Sequence, residues 1–227
     1  MATSSPLGEP GLFLRMGVAL LLAAAAVGMG LALLVEPASP GLAAVVEAEL
    51  GRSGADNPVT AVLLNFRGYD TLLEIAVLTA ALVGVWALGP APRIKETAPS
   101  PVLLGLNSIL IPLVPMICAY LLWAGKSQPG GAFQAGAVLA AAGVLYILSG
   151  RRPRLRVPDA SLRWGAVVGL AVFLGVGLFV MAPGRRFLQY PVDYAGALIL
   201  LVETAATLSI AVILAGLFIG GRPEDEP

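Results

Sequence analysis

Residues 57–88, NPVTAVLLNFRGYDTLLEIAVLTAALVGVWAL, decide how this chain is read. Asn57 followed by Pro58 predicts a short helix, with the asparagine as N-cap and the proline at the first helical position. A polar Asn-Phe-Arg-Gly hinge then leads into Tyr69–Leu88, an apolar run long enough to cross a bilayer, which takes about 20 residues. Asp70 opens that run and Glu74 follows one turn deeper, so both share one helix face. A carboxylate in hydrocarbon costs roughly 2.5–3.5 kcal/mol on insertion scales, and such groups usually face a protein partner or a water-filled path.

The rest of the chain has the same character. Hydrophobic residues make up 58% and charged residues 12%, with a mean hydropathy of +0.87; a soluble domain carries about 25% charge. The fold class expected is an all-α integral membrane protein. There is no histidine, and the one cysteine, Cys118, lies in an apolar run. That composition excludes internal disulfides, His-ligated haem, cysteine-ligated iron–sulfur clusters and ordinary zinc sites. No cofactor is therefore expected, and Cys118 reads as a small buried hydrophobe.

Six apolar segments meet the length test: about residues 12–35, 69–88, 101–124, 131–149, 162–181 and 194–218. The first is too long for a signal-peptide core and lacks a small-residue cleavage site, so it reads as a retained helix. Residues 42–50 and 59–66 are shorter and suit interfacial or re-entrant helices. Residues 89–100 hold Pro90, Pro92 and Pro99 with Arg93, Lys95 and Glu96. They mark the expected boundary between a two-helix front part, residues 1–97, and a four-helix back part, residues 98–227.

Arg and Lys placement predicts orientation. With six spans, nine of the 14 basic residues fall on the side of the two termini, including the run RRPRLR at 151–156. Both termini are therefore expected in the cytoplasm, and the basic run reads as a topology determinant and not as a nucleic-acid site. Gly165/Gly169 and Gly216/Gly220 have the small-residue spacing that lets helices approach closely in lipid.

Three features could carry chemistry. Asp70 reads either as a cap, alternative to Thr71 and paired with Arg67, or as part of an ion route; Glu74, deeper, reads as an ion-route residue or as half of an ion pair with a neighbouring protein. Glu203, near the middle of the last helix, has Thr207 four residues on, where its hydroxyl can reach the same face and hydrogen-bond the carboxylate; a single polar contact across a helix interface is the alternative. The turn KSQPGGAFQAG at 126–136 supplies Pro129, Gly130, Gly131, Phe133 and Gly136, and leads Gln134 into the fourth helix. Its GGxFxxG pattern lacks the Lys-Ser/Thr of a phosphate-binding loop, so nucleotide binding is rejected.

The run LLNFRGYDTLLEIAVLTAALVGV (63–85) resembles a segment near the C-terminal end of the large MrpA component of Mrp-type sodium/proton antiporters, and the MbhE component of membrane-bound gas-evolving hydrogenases. The run ILIPLVPMICAYLLWAGKSQPGGAFQAGAVLAAAGVLYIL (109–148) resembles the small MnhB family of the Mrp antiporter. The resemblance implies a four-helix MnhB-type module behind a complex-I-like two-helix piece, in a membrane arm beside antiporter-like proteins. It also implies that the acid at Glu74 belongs to an ion path. Departures stand at Asn65 for the family's Asp, Leu73 for Gly, Ala132 within the glycine triplet, and Lys126 where a histidine is common.

The function expected is a membrane subunit of a multisubunit cation/proton antiporter or complex-I-like assembly, contributing to proton or sodium translocation, with no catalytic centre of its own. Its expected partners are antiporter-like and small helical subunits, the lipid bilayer, and the transported protons or sodium ions. Its expected place is a prokaryotic cell membrane. The alternative is a purely structural membrane-arm component of an energy-converting hydrogenase or other redox-driven pump.

Overall fold

The computed structural model describes residues 12–34, 42–89, 100–149, 159–182 and 184–221. The chain divides into two compact units, Met1–Ala44 and Val45–Pro227. The first holds α1 (Leu12–Leu34), a 23-residue helix with no acidic residue in its first turn and no basic one in its last. At 1.5 Å per residue it is about 34 Å long, but its apolar stretch Met16–Ala32 is shorter than the about 20 residues a span takes.

α2 (Leu42–Glu49) runs on into a 3₁₀ turn, Leu50–Arg52. The Asn57 side chain then caps α3 (Pro58–Ala61), accepting from the amides of Val59 and Thr60, with Pro58 at the helix start as expected. A π turn over Val62–Phe66 follows, closed by the Arg67 amide donating to the Val62 carbonyl at 2.7 Å. α4 (Gly68–Ala87) begins immediately after. Neither Asp70 nor Thr71 caps it: Asp70 lies within the first turn, and the Thr71 hydroxyl donates back to the Leu63 carbonyl at 2.7 Å. The helix starts two residues before Asp70 because Gly68 and Tyr69 already follow the turn into helical geometry.

α5 (Pro101–Ala124), α6 (Ala132–Leu148), α7 (Asp159–Met181) and α8 (Ala195–Ile219) complete the unit. The described residues contain no strand. α4, α5, α7 and α8 are each long and apolar enough to cross a membrane, whereas α6 has 17 residues and falls short. All six long segments expected from the sequence are helices.

α8 is the hub, packing on α4, α5, α6 and α7. Its neighbours approach through glycine. A Cβ at Gly169 would lie 2.7 Å from Ser209 Cβ and 3.0 Å from Ala206 Cα; one at Gly136 would lie 2.8 Å from Ile210. Across the first contact the Ser209 hydroxyl donates to the Ala166 carbonyl, which pins α7 to α8. Gly165 and Gly216 also sit against Val212 and Leu82. Gly220 does not belong to that set: it ends α8 at φ 78°, with open space around it. Its glycine serves the left-handed helix terminus. The largest buried cluster gathers Ile75, Phe173, Val202 and Ile210 with Leu188 and Tyr190 from the α7–α8 loop.

One end of the bundle is roofed by loops. The amides of Asp56 and Asn57 both donate to the Lys126 carbonyl at 2.9 Å, and the Thr60 hydroxyl to the Gly125 carbonyl at 2.6 Å. Gly54, at φ 84°, lies against Ala195 and Gly196, where a Cβ would come within 2.5 Å of the Gly196 nitrogen. The 184–194 loop folds over α4, with the Tyr69 and Phe187 rings 5.4 Å apart. Below this roof lies Glu203, the most deeply buried acid among the described residues.

Candidate ion-handling site

Glu203 stands eight residues into α8, about 12 Å along its axis. It is 4% exposed. The turn after α5 dips to meet it: the Gly131 amide donates to the Leu121 carbonyl at 2.9 Å, folding the chain back against α5. α6 therefore starts below the roof, which accounts for its shortness. Gly131 stands at the N-cap of α6 with φ 108°, and contributes no side chain to cap it. At that open end stands a carboxylate from another helix, Glu203, with the Ala132 amide close enough to stabilise it. A Cβ at Gly131 would lie 2.9 Å from Glu203 Oε1.

This arrangement sets a carboxylate against the start of a helix, with no cationic side chain against it among the described residues. Ion pairs join Arg52 to Glu49 and Arg67 to Asp70. Neither reaches Glu203. Thr207 is buried below it, yet its hydroxyl donates to the Glu203 backbone carbonyl at 2.8 Å and not to the carboxylate. That bond one turn back is the ordinary resort of a hydroxyl within an apolar helix. Gln134 is exposed, with its Oε1 3.8 Å from the position of a Cβ on Gly131. Phe133 packs against the main buried cluster, Gly136 against Ile210, and Pro129 is exposed in the turn. Cys118 is buried, its thiol donating to the Ala135 carbonyl at 3.2 Å.

The α4 acids are placed differently. Arg67 and Asp70 form an ion pair at 2.5 Å, with 60% and 51% of their side chains exposed. Glu74 is exposed and has no hydrogen-bond or ion-pair partner among the described residues. α4 buries Leu72, Ile75, Thr79 and Leu82, so Glu74 faces away from the core in which Glu203 lies. The structure joins Glu203 to the glycine turn; it does not join Glu74 to Glu203.

Sequence reading passed over two features of the roof. A cavity of about 330 Å³ is lined by Asp56, Lys126 and Asp193 together with Gly54 and Gly196. Asp56, Lys126 and Asp193 lie far apart in the chain, and spacing alone gives no sign that they meet. Tyr190 is buried with its hydroxyl unpaired, and burial pushes its phenol up to about 12. Asn107 is a further buried polar group: its Nδ2 donates to the Leu145 carbonyl at 2.9 Å, tying α5 to α6. A lone asparagine in an apolar run was the available signal.

The geometry defines a multi-pass, all-helical membrane protein with a carboxylate inside its helix core. A family model for a domain related to the MnhB subunit of Na+/H+ antiporter matches residues 102–221, and the chain belongs to that family. A second model, MbhE of the MBH complex, matches residues 14–98. The probable K(+)/H(+) antiporter A/B subunit of Rhizobium meliloti (strain 1021) is 29% identical, over 66% of this chain and 18% of its own length. The large Na(+)/H(+) antiporter "A" polypeptide of Bacillus subtilis (strain 168) is 49% identical over 47 residues, 21% of this chain and 6% of its own. This chain thus spans less than a fifth of the curated relatives it matches.

Among solved structures, a chain of the membrane-bound sulfane sulfur reductase, an archaeal respiratory membrane complex, superposes with a TM-score of 0.70 at 25% identity. The match covers 91% of this chain and 97% of that one. A chain of the Mrp complex from Dietzia sp. DQ12-45-1b shares the fold, with a TM-score of 0.66 at 22% identity, over 97% of this chain and 27% of that one.

Proposed function

We propose that this chain is a membrane subunit of a multisubunit cation/proton antiporter or a related complex-I-like assembly, and that Glu203 is part of a proton or sodium route. The observation that carries the reading is the Glu203 carboxylate, buried in a span and set against the start of α6 without a cationic side chain among the described residues. A permanently neutralised acid would gain most from an Arg or Lys beside it. One held by backbone alone can exchange its counter-charge for a proton or a metal cation. Membership of the MnhB-related family and the likeness to chains of an Mrp complex and a respiratory complex support the same assembly.

Other membrane proteins of the assembly are the partners in this reading, and Glu74 and Asp70 would serve the route where α4 meets one of them. Residues 1–97 would form the front part and 98–227 the MnhB-like part. Arg and Lys placement supports both termini in the cytoplasm of a prokaryotic cell membrane. The chain would supply ion passage and no catalytic centre. The test is cation-dependent proton exchange in everted vesicles containing the complex with Glu203→Gln. A large loss at unchanged assembly is expected. Full exchange in an intact complex would refute the ion-route role.

A second reading has its own observation. Glu74 is exposed within a span and has no partner among the described residues of its own chain, as a bridge to a neighbouring protein would require. In a purely structural role, Glu74→Gln would lower the yield of complex and leave exchange per complex unchanged.

A further inference from the structure

No cationic side chain among the described residues touches Glu203, and the groups around it are few. On α4, Asp70 and Glu74 face outward. α5 presents the buried Cys118, whose thiol is engaged with Ala135, and the exposed Tyr120. α6 carries Tyr146 near its far end, and α7 carries Asp159 and Arg163 in its first turns, at the opposite end of the bundle from the roof. Lys126 and Tyr190 belong to the roof itself. What touches the carboxylate is the start of α6: the α-carbon of Gly131 lies beside Glu203 Oε1, and the Ala132 amide is the next backbone group along.

Gly131 has two reasons to be glycine, and they are separable. Its φ of 108° and ψ of −171° fall in a region essentially closed to residues with a side chain. That alone would explain a glycine in a turn. The second reason concerns the acid: a Cβ there would stand 2.9 Å from Glu203 Oε1, inside van der Waals contact, and 3.8 Å from Gln134 Oε1. Only a bare backbone at position 131 lets the start of α6 come this close to the carboxylate.

We propose that Gly131 is a positioning residue for Glu203: its missing side chain lets the open N-terminus of α6 close on the carboxylate and serve as its fixed counter-charge. This deepens the ion-route reading and depends on it only for its bearing on transport. The contact itself is testable without any transport measurement.

The experiment follows the Ala132 amide resonance in the full chain, labelled with ¹⁵N-alanine and held in detergent with whatever proteins co-purify. In the wild type that amide should shift as Glu203 gains its proton, and the shift should be lost in Glu203→Gln. An Ala132 amide that does not respond to Glu203 would overturn the proposal, whatever the variants below do.

Gly131→Ala should lose the response as well, and lower cation-dependent exchange by ~tenfold, the equivalent of one hydrogen bond to a charged group. Gly136→Ala is the control. It crowds Ile210 further along α6 without touching the carboxylate, so it should lower stability while keeping the response. Equal loss in both variants would reduce Gly131 to a structural glycine. If Glu203→Gln leaves exchange intact while the Ala132 response is present in the wild type, the ion-route reading fails and the positioning contact stands.

Discussion

Glu203 in α8 and Glu74 in α4 are both acids in apolar helices, and the molecule treats them in opposite ways. Glu203 is enclosed and held by the start of a neighbouring helix; Glu74 faces outward with no described residue of its own chain to hold it. The difference arises from what surrounds each helix. α8 is wrapped by four others, and one of them, α6, begins at the level of its acid. α4 packs on α7 and α8 along one face only. An acid held by its own chain can work as a fixed station, whereas an acid on an open face has to be completed by something else.

The widest test of that contrast is to neutralise each acid in turn. Glu203→Gln should cut exchange by about 10²-fold or more, an effect of the size met when a required proton carrier is removed, with assembly retained. Glu74→Gln should do less to exchange than Glu203→Gln and more to the recovery of intact complex, measured by co-purification. The contrast collapses if the two variants behave alike on both readouts.

Packing offers the next largest effect. Gly136→Leu would drive a side chain into Ile210 and the Thr207 carbonyl. Overpacking of this kind costs about 1–3 kcal/mol, visible as a drop in thermal midpoint. Leu73→Ala, on the exposed face of α4 beside Glu74, should leave the isolated chain's midpoint nearly unchanged. A comparable loss at Leu73 would mean that α4's outer face is already covered within this chain.

Tyr190 sharpens the view of the enclosed side through pH. Its phenol is pushed up to about 12 from an ordinary 10 because burial disfavours the charged form. The unfolded chain therefore releases that proton first. The contribution is intact below about pH 10 and is lost as pH rises towards 12. Tyr190→Phe should flatten that alkaline decline in a thermal-melt series. At neutral pH it should be neutral or slightly stabilising, since the hydroxyl has no partner.

Periodicity and length were enough to read the six long helices, the Asn57 cap and the close approach of Gly165 and Gly169, because each is local or depends on one helix surface. The two acids were visible for the same reason: charge stands out against an apolar run. Their partners were not. Nothing in the spacing of Gly131 and Glu203, 72 positions apart, says that a turn after α5 dips to the level of an acid in α8. Thr207 shows the converse error. Its i+4 spacing suggested a bond to the carboxylate, but a hydroxyl inside a helix finds the preceding turn's carbonyl closer at hand. Gly220 misled through pattern alone, since a glycine that ends a helix and one that packs a helix have the same letter.

The smallest effect expected lies at the open face. Arg67 and Asp70 sit together where the π turn gives way to α4, and their short separation invites a large assignment. Both side chains are more than half exposed, however, and exposed pairs contribute about 0–1 kcal/mol because water and salt compete for each partner. Asp70 retains a favourable place in the first turn of α4 even without Arg67. Arg67→Ala should therefore shift the thermal midpoint of the isolated chain by little, and that little should vanish at high salt. In the assembled complex the same face would be covered, and the same variant should then cost more. If Arg67→Ala costs as little in the complex as in the chain alone, the partner does not cover this end of α4, and Glu74 one turn deeper has to be completed from lipid or water instead.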